Sequence, residues 1–208
     1  MHKHIVFDFD GTLVQSKQLA VELFNELSQK YGYRKIASEE VEYMASLSIR
    51  DRLKALQCPL YKLPSLLREV KKKYKQEVVT LRSVEGMEAA MCSLKVEGCR
   101  LGILSSNHSE NIQAFLDHNS LTGFDYVYTA SNIFGKDRAL RKLMRERGIS
   151  AHELLYIGDE LRDIEACKRL QVHCAAVTWG YDAEELLATG APEYTLRHPE
   201  DILLLVNS

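Results

Sequence analysis

Apolar segments of strand length alternate with helical patterns through the second half of the chain. The strand candidates, including one that opens the chain, are residues 4–8, 100–105, 125–130, 154–158 and 173–178. Amphipathic helices are predicted between the last three, over residues 137–147, closed by Gly148, and over residues 161–170. Strands joined through helices pair in parallel, because the chain must cross back over the sheet before the next strand. The sequence therefore predicts an α/β fold with a parallel sheet.

A further helix is predicted over residues 109–118, after the second strand. Its apolar residues Ile112, Phe115 and Leu116 share one helical face, which we expect to be buried. Ser109 fits the N-cap position, because a serine hydroxyl can accept a hydrogen bond from an N–H group of the first turn.

Residues 15–82 interrupt the alternation, because they contain several helical patterns and no convincing strand. One helical stripe is formed by Leu19, Leu23, Leu27 and Tyr31, and another by Leu63, Leu66, Leu67, Val70 and Tyr74. Ser48 and Asp51 fit a capping box. We predict an all-helical module over residues 15–82, inserted into an α/β core of residues 1–14 and 83–208. Its last helix carries a run of lysines that we interpret as a solvated face, namely Lys71, Lys72, Lys73 and Lys75.

Composition narrows the class of protein. With 208 residues, of which 46% are hydrophobic, the chain can bury a full core. Its net charge of −2, with lysine and arginine spread through the helices, argues against a nucleic-acid partner. The five cysteines form no C-x-x-C pair, which predicts reduced and mostly buried thiols. The apolar stretch at residues 5–7 is too short for a signal peptide or a membrane span, so we expect a cytoplasmic protein with no membrane partner.

Two aspartates end the first predicted strand in the sequence DFDGT, residues 8–12. Ligands bind at the carboxyl ends of the strands in an open α/β sheet, so these side chains would point into such a crevice. Alternation places Asp8 and Asp10 on one side of the chain, and Gly11 permits a sharp turn after them. The pair could share a hard divalent cation or divide nucleophilic and acid/base work, although aspartates are also common at strand-to-loop turns.

A second acidic group, in the sequence GDELRD at residues 158–163, ends another apolar strand and opens a helix. Asp159 would project beside the first pair, and Asp163 lies one helical turn further on the same face. A helix start enriched in acids also explains Asp159 and Glu160, but it does not explain the acids at the first strand. Four converging carboxylates repel one another, and bound Mg²⁺ would relieve that repulsion.

Two further elements could hold a phosphate. The predicted strand over residues 100–105 ends at Ser105, and Ser106 and Asn107 follow it. The hydroxyl and amide groups of these three residues can bind phosphate oxygens. Helix capping is an equal alternative for Ser106 and Asn107. Lys136 stands at the start of a predicted helix, where a cation opposes the helix dipole, and this position indicates a bound anion.

The four elements with candidate chemistry are residues 8–12, residues 103–107, Lys136 and residues 158–163. In this order and spacing, they resemble the four motifs of the haloacid dehalogenase (HAD) superfamily of aspartyl-phosphate hydrolases. The likeness covers nearly the whole chain and points to the phosphoglycolate-phosphatase-like branch, which has a helical cap after the first motif. It implies a Rossmann-like parallel sheet in spatial order 5-4-1-2-3, with the helical module as that cap domain. Residues 137–139 and 170–172 depart from the pattern of the branch, so the substrate does not carry over.

The resemblance also implies roles for these residues. Asp8 would attack phosphorus, and Asp10 would protonate the leaving oxygen and then activate water. Mg²⁺ would be held by Asp8, by the main-chain carbonyl of Asp10 and by Asp159. Asp163 would be a further ligand or a support for the metal site. The groups that would bind the phosphoryl oxygens are Ser105, Ser106 and Lys136. The expected partner is a small phosphorylated metabolite.

Three alternatives share parts of this pattern. A dehalogenase of the same fold has no use for Asp10, and a phosphomutase would return the phosphoryl group to its substrate. A non-enzymatic phospho-receiver module also combines acids, a hydroxyl and a lysine, but it would carry its phosphoacceptor on a later strand and have no helical insertion after the first. Arg50, close to the loop of residues 46–48 in the helical module, is the candidate for contacting the leaving group.

Overall fold

Six strands form one parallel sheet in the structure, a computed structural model that describes residues 2–130 and 135–205. They are β1 His4–Phe7, β2 Arg100–Ser105, β3 Tyr126–Thr129, β4 Leu154–Gly158, β5 His173–Val177 and β6 Tyr194–Leu196. Their spatial order is β3-β2-β1-β4-β5-β6, and every adjacent pair is parallel. The predicted α/β class and the order 5-4-1-2-3 are confirmed. Strand β6 was not predicted, because an edge strand of 3 residues is too short to show a pattern.

Helices connect the strands and form the segment between β1 and β2. The α-helices are α1 Lys17–Tyr31, α2 Val41–Ala45, α3 Ile49–Ala55, α4 Leu63–Glu77, α5 Met87–Val96, α6 Ser109–His118, α7 Lys136–Arg147, α8 Leu161–Leu170 and α9 Glu184–Thr189. Short 3₁₀ helices span Ser38–Glu40, Leu60–Lys62, Val78–Thr80, Ala151–Glu153 and Pro199–Leu205. The predicted helices over residues 109–118, 137–147 and 161–170 correspond to α6, α7 and α8.

Both faces of the sheet are covered, and successive residues of one strand enter different apolar clusters. On β1, Ile5 and Phe7 pack into the cluster that includes residues of α5 and α6, whereas Val6 packs into the cluster that includes residues of α7 and α8. All three side chains are fully buried. Burial on both faces explains why the strands are continuous apolar runs rather than alternating ones. The parallel pairing brings the carboxyl ends of β1, β2 and β4 together at one edge.

Residues 15–82, all of which the structure describes, contain α1 to α4 and no β-strand. Many of their apolar side chains form two small clusters, one around Leu53 and one around Met44, while Leu23, Tyr74 and Val78 pack into the core cluster that contains Ile5. The chain enters and leaves this segment through adjacent positions, because Val14 forms an antiparallel bridge with Ser83. The bridge lies at the predicted boundaries of the helical module. Its division from the core as a separate domain stays a prediction.

Two helix starts test the predicted capping residues. Ser48 is the N-cap of α3, and its hydroxyl accepts a hydrogen bond from the Asp51 N–H (3.2 Å), as predicted. The prediction for α6 is wrong by one position, because His108 has the extended backbone of an N-cap and Ser109 is the first helical residue. Ser109 therefore lies inside the first turn, where its hydroxyl is not placed to cap the helix.

The cysteines and the helices agree with two expectations from composition. All five cysteines are free thiols, and only Cys92 among them is exposed. Reduced, mostly buried thiols are thus confirmed. Within residues 2–130 and 135–205, no helix combines the length and the apolar character that crossing a bilayer requires.

Candidate active site

Asp8 directly follows β1, a central strand of the sheet. Its N–H donates to the Ile157 carbonyl (2.8 Å), so the parallel pairing with β4 continues one residue beyond β1. The residue is only 3% exposed. One carboxylate oxygen accepts the N–H of Phe9 (2.7 Å), and the other accepts the ammonium of Lys136. These contacts fix the orientation of Asp8 at the carboxyl edge of the sheet.

Lys136 begins α7 and is buried, and its ammonium contacts the carboxylates of both Asp8 and Asp163. Burial opposes the charged form of this lysine, but the two carboxylates outweigh burial and raise its pKa above the ordinary value. Lys136 therefore stays cationic beside Asp8, where a permanent positive charge can attract phosphoryl oxygens.

Carboxylates from three residues converge next to Lys136. Oxygens of Asp8, Glu160 and Asp163 lie within 4.8 Å of one another. Burial, with a contribution from the Asp8 charge, raises the pKa of Asp163 to about 6, and burial also raises the pKa of Asp8. Burial acts in the same way on Glu160, but the paired guanidinium of Arg162 outweighs it and lowers the Glu160 pKa. A group of hard oxygen ligands that repel one another fits a divalent cation such as Mg²⁺.

Asp159 is fully buried, and its carboxylate is directed into a different set of contacts. One oxygen accepts the hydroxyl of Thr12 (2.9 Å), and the other accepts the N–H of Tyr181 (2.7 Å). The Asp159 side chain fits only because two of its neighbours are glycines. A Cβ atom at Gly11 would lie 2.1 Å from an Asp159 carboxylate oxygen, and one at Gly180 would lie 2.2 Å from the Asp159 Cβ. Burial and the neighbouring acids raise the Asp159 pKa well above its ordinary value.

The structure thus groups Glu160, rather than Asp159, with Asp8 and Asp163. Glu160 was predicted only as an acidic residue at a helix start. Its backbone is extended (φ −124°, ψ 145°), and an extended backbone turns consecutive side chains to opposite sides. That alternation separates the two neighbouring acids, and the sequence alone contained no signal for it because it depends on the backbone angles at Glu160. The role of Asp159 as a metal ligand stays a prediction.

Asp10 is held from two elements that lie far apart in the chain. One carboxylate oxygen accepts the hydroxyl of Tyr74 on α4 (2.5 Å), and the other accepts the side-chain amide of Asn107 (3.0 Å). Asn111 donates in turn to the Asn107 side-chain oxygen (2.9 Å). Sequence reasoning placed neither Tyr74 nor Asn107 at the acid/base group. Asn107 belongs to a predicted phosphate-binding motif, which is a usable signal, whereas Tyr74 has no local signal because it belongs to the helical module.

Ser105 and Ser106 bring the end of β2 to the same edge. Ser105 is buried, and its hydroxyl accepts the N–H of Asn107 (3.0 Å), a contact typical of a side-chain turn. Ser106 lines a pocket of about 190 Å³ together with Asp10. The proposed contacts of both serines with phosphoryl oxygens stay predictions.

The predicted lysine run of α4 has some side chains exposed at the surface, whereas Lys71 lines the pocket that contains Asp10 and Ser106. Lys72 and Lys75 are exposed, as predicted. Lys71 is half-buried, and its ammonium donates to the carbonyl of Ser106. The interpretation of a solvated face is therefore wrong for Lys71, because this side of α4 faces the chain that follows β2.

Arg50 is exposed at the start of α3 and lines a cleft of about 710 Å³ with Glu160 and Arg162. Its contact with a leaving group stays a prediction. The neighbouring Arg52, which the sequence analysis did not select, forms an ion pair with Asp182 in the core (2.7 Å). The two arginines thus differ in role: Arg52 attaches the helical module to the core, and Arg50 faces the cleft.

Comparisons with known proteins agree with this geometry. A family model described as haloacid dehalogenase-like hydrolase matches residues 5–177. The chain belongs to this family. A phosphoglycolate phosphatase from Synechococcus elongatus is 32% identical over 203 residues, covering 97% of this chain and 96% of that protein. Pyrophosphatase PpaX from Listeria monocytogenes serotype 4a is 25% identical over an alignment of 214 residues, covering 97% and 95% of the two chains.

A solved structure of a haloacid dehalogenase-like family hydrolase from Streptococcus pneumoniae has a TM-score of 0.82 over 98% of both chains, at 16% identity. That likeness supports the fold alone. Together with the phosphatase relatives, the family match confirms the predicted HAD-superfamily phosphatase. The family and the helices inserted after β1 also argue against the phospho-receiver alternative.

Proposed function

We propose that this protein is an Mg²⁺-dependent phosphatase that hydrolyses a small phosphomonoester through a phosphoryl group carried on Asp8. The observation that carries the proposal is the placement of Asp8 against Lys136, Glu160 and Asp163 at the carboxyl edge of the sheet. A carboxylate oriented beside a buried cation can act as a nucleophile toward phosphorus, and the same cation can bind the transferring group. The named phosphoglycolate phosphatase and pyrophosphatase relatives support a substrate of small size.

In the first step, an oxygen of Asp8 forms a bond to phosphorus while the bond between phosphorus and the ester oxygen breaks. Asp10 gives a proton to that leaving oxygen, so it begins the cycle as the neutral acid. Burial raises the pKa of Asp10 and favours this form, although hydrogen bonds from Tyr74 and Asn107 act in the opposite direction. The products of the step are the free alcohol and the acyl phosphate of Asp8.

In the second step, the Asp10 carboxylate takes a proton from a water molecule as the water oxygen attacks phosphorus. The bond between phosphorus and Asp8 breaks, inorganic phosphate leaves, and the Asp8 carboxylate and the neutral Asp10 acid are restored. Tyr74 and Asn107 contact one Asp10 oxygen each, which holds this group in place for both proton transfers.

The carboxylates of Asp8, Glu160 and Asp163 would hold Mg²⁺, with Asp159 as a further predicted ligand. When bound, the ion supplies positive charge that neutralises the phosphoryl group during its transfer. Lys136 adds a second, permanent positive charge at Asp8. The chain's own contribution is therefore to orient the nucleophile and to bind the phosphoryl oxygens.

Hydrolysis of 4-nitrophenyl phosphate by the purified protein tests the proposal, with Mg²⁺ present, after chelation and after Mg²⁺ is restored. We expect turnover only with Mg²⁺, and hydroxylamine should trap the acyl phosphate at Asp8. Undiminished turnover in excess chelator would contradict the metal requirement. Product formation that depends on an added bisphosphate activator would instead identify a phosphomutase.

A further inference from the structure

The side-chain amide of Asn107 contacts Asp10, and its direction decides whether Asp10 faces a hydrogen-bond donor or an acceptor. The NH2 group donates to one Asp10 carboxylate oxygen (3.0 Å). An amide turned end for end would place its oxygen, which only accepts hydrogen bonds, against the same carboxylate. In the proposed mechanism, both proton transfers of Asp10 therefore depend on what holds the Asn107 amide in this direction.

Two donors hold the Asn107 amide from its other end. Its oxygen accepts the backbone N–H of His108 (2.8 Å) and the side-chain NH2 group of Asn111 (2.9 Å). His108 adjoins Asn107 in the chain, whereas Asn111 reaches it from α6. In a reversed amide, the NH2 group would face two donors and gain no hydrogen bond from either. Only one direction of the amide therefore satisfies all three of its partners.

Asn111 lies on a helix that is anchored to the segment carrying the two aspartates. Phe115 follows Asn111 by one turn on the same face of α6, and its ring packs edge-on against Phe9, with 5.3 Å between the centroids and 88° between the ring planes. Phe9 stands between Asp8 and Asp10, and both phenylalanines are fully buried. The Asn111 donor is thus held in a fixed position relative to the site.

Packing does not account for an asparagine at this position. Asn111 is 2% exposed and lies on the buried face of α6 with Ile112 and Phe115. A leucine has nearly the same shape, and it would bury more apolar surface without the cost of removing an amide from water. The feature that distinguishes the asparagine from a leucine is its hydrogen bond to Asn107.

We infer that Asn111 is a positioning residue, which fixes the Asn107 amide so that its NH2 group faces Asp10 during both proton transfers. Asn111 lies beyond the motif of residues 103–107 and acts through Asn107 rather than on the substrate. This inference rests on the proposed function, because that function assigns the proton transfers to Asp10.

Asn111→Leu removes the donor with little change in side-chain volume, and its turnover of 4-nitrophenyl phosphate with Mg²⁺ tests the inference. We expect kcat to fall about three- to tenfold, the effect of one lost hydrogen bond, while KM does not rise. Since the aryl leaving group needs little protonation, the loss should fall on the second step, and intact mass should detect more phosphoenzyme on Asp8 than in the wild type. Gln113→Leu removes an amide from the exposed face of α6, and this control should keep the wild-type kcat.

A double-mutant cycle separates positioning from a purely structural role. In an Asn107→Ala background the amide donor to Asp10 is already absent, so adding Asn111→Leu should lower kcat by less than about twofold. Urea denaturation checks that each variant is folded, and Asn111→Ala supplies the same comparison if Asn111→Leu does not fold. Equal losses of kcat in both backgrounds, or lower stability with an unchanged kcat, would overturn the inference and leave the proposed function intact. A wild type without turnover would contradict the proposed function, and the inference with it.

Discussion

The α/β core and the helical module are held together in different ways. In the core, Ile5, Phe7 and Leu155 are fully buried in a cluster that extends across the sheet. In residues 15–82, Leu23, Tyr74 and Val78 join that core cluster, whereas the other clustered buried side chains form two small clusters, and Leu53 retains 7% exposure. The proposed nucleophile lies on the core, whereas side chains near the leaving group come from the module. A rigid sheet edge suits chemistry that needs fixed geometry, and a helical surface with small apolar clusters suits selection among substrates.

The largest expected effect comes from the core. Asp8→Asn should lower turnover of 4-nitrophenyl phosphate on the order of 10⁴-fold or more, because an amide cannot form the acyl phosphate. Asp117→Asn, at an exposed position on α6, is the matched control and should retain activity. Near-normal activity of Asp8→Asn, in a preparation free of contaminating phosphatase, would show that Asp8, at the edge of the core sheet, is not the nucleophile.

Asp10 lies where the two regions meet, and its loss should be less severe. Asp10→Asn keeps the proposed nucleophile and removes the acid/base group, so turnover should fall by about 10²-fold or more while substrate still binds. With an activated aryl phosphate the second step should suffer more than the first, because the leaving group needs little protonation. Intact mass should then detect phosphoenzyme on Asp8. A variant that binds substrate and turns it over at the wild-type rate would refute the acid/base role.

Packing predicts unequal stability losses in the two regions. Leu155→Ala, at a fully buried strand position, should lower the free energy of unfolding by roughly 3–5 kcal/mol, the upper part of the range for buried leucines. Leu53→Ala, in the small cluster of the helical module, should lower it by about 2 kcal/mol or less. Urea denaturation followed by circular dichroism measures both. Equal losses would show that the two regions are packed to the same standard.

Tyr74 connects the regions directly, because it lies on α4 of the helical module and its hydroxyl donates to the Asp10 carboxylate. Tyr74→Phe keeps the ring and removes the hydroxyl, so kcat should fall about tenfold with little change in stability. The loss should be greater for alkyl phosphates than for aryl phosphates, whose leaving oxygens need less protonation. Tyr43→Phe, at an exposed tyrosine of the same module, is the control. A loss confined to KM would assign Tyr74 to binding alone.

The smallest expected effect is a loss of folding stability at acidic pH, and it should arise in the core. All 7 histidines lie outside residues 15–82. Burial lowers the pKa of His2 below its ordinary value of 6.5, so the folded protein binds fewer protons there than the unfolded chain does. This contribution to stability is present above pH 6.5 and is lost as the pH falls from there toward the folded-state pKa.

His2→Gln should therefore lose less stability than the wild type when the pH is lowered from about 7 to about 5.5, as measured by urea denaturation at each pH. Comparing the two proteins cancels the titration of every group that does not interact with His2. Parallel stability curves would show that His2 does not contribute to the acid sensitivity of the core.

Much of the fold followed from local patterns along the chain. The first five strands and the helices α6, α7 and α8 were predicted because apolar periodicity and turn residues act over a few positions, whereas α5 and α9 were not predicted. The order of the sheet followed from the resemblance of four motifs to a known family. By contrast, β6 was missed, since 3 residues at an edge carry too little periodicity, and Ser109 was misplaced by one position because a helix start depends on backbone geometry.

The sequence by itself determined that acids and a lysine would gather at the carboxyl edge of a parallel sheet. Only the tertiary structure decided which of them meet. Glu160 joins Asp8 because its extended backbone separates it from Asp159. Lys71 and Tyr74 reach the site because α4 of the helical module packs against the core there, at positions remote from the site motifs in the chain. No local pattern records such contacts, since they depend on how whole elements pack against one another rather than on neighbouring residues.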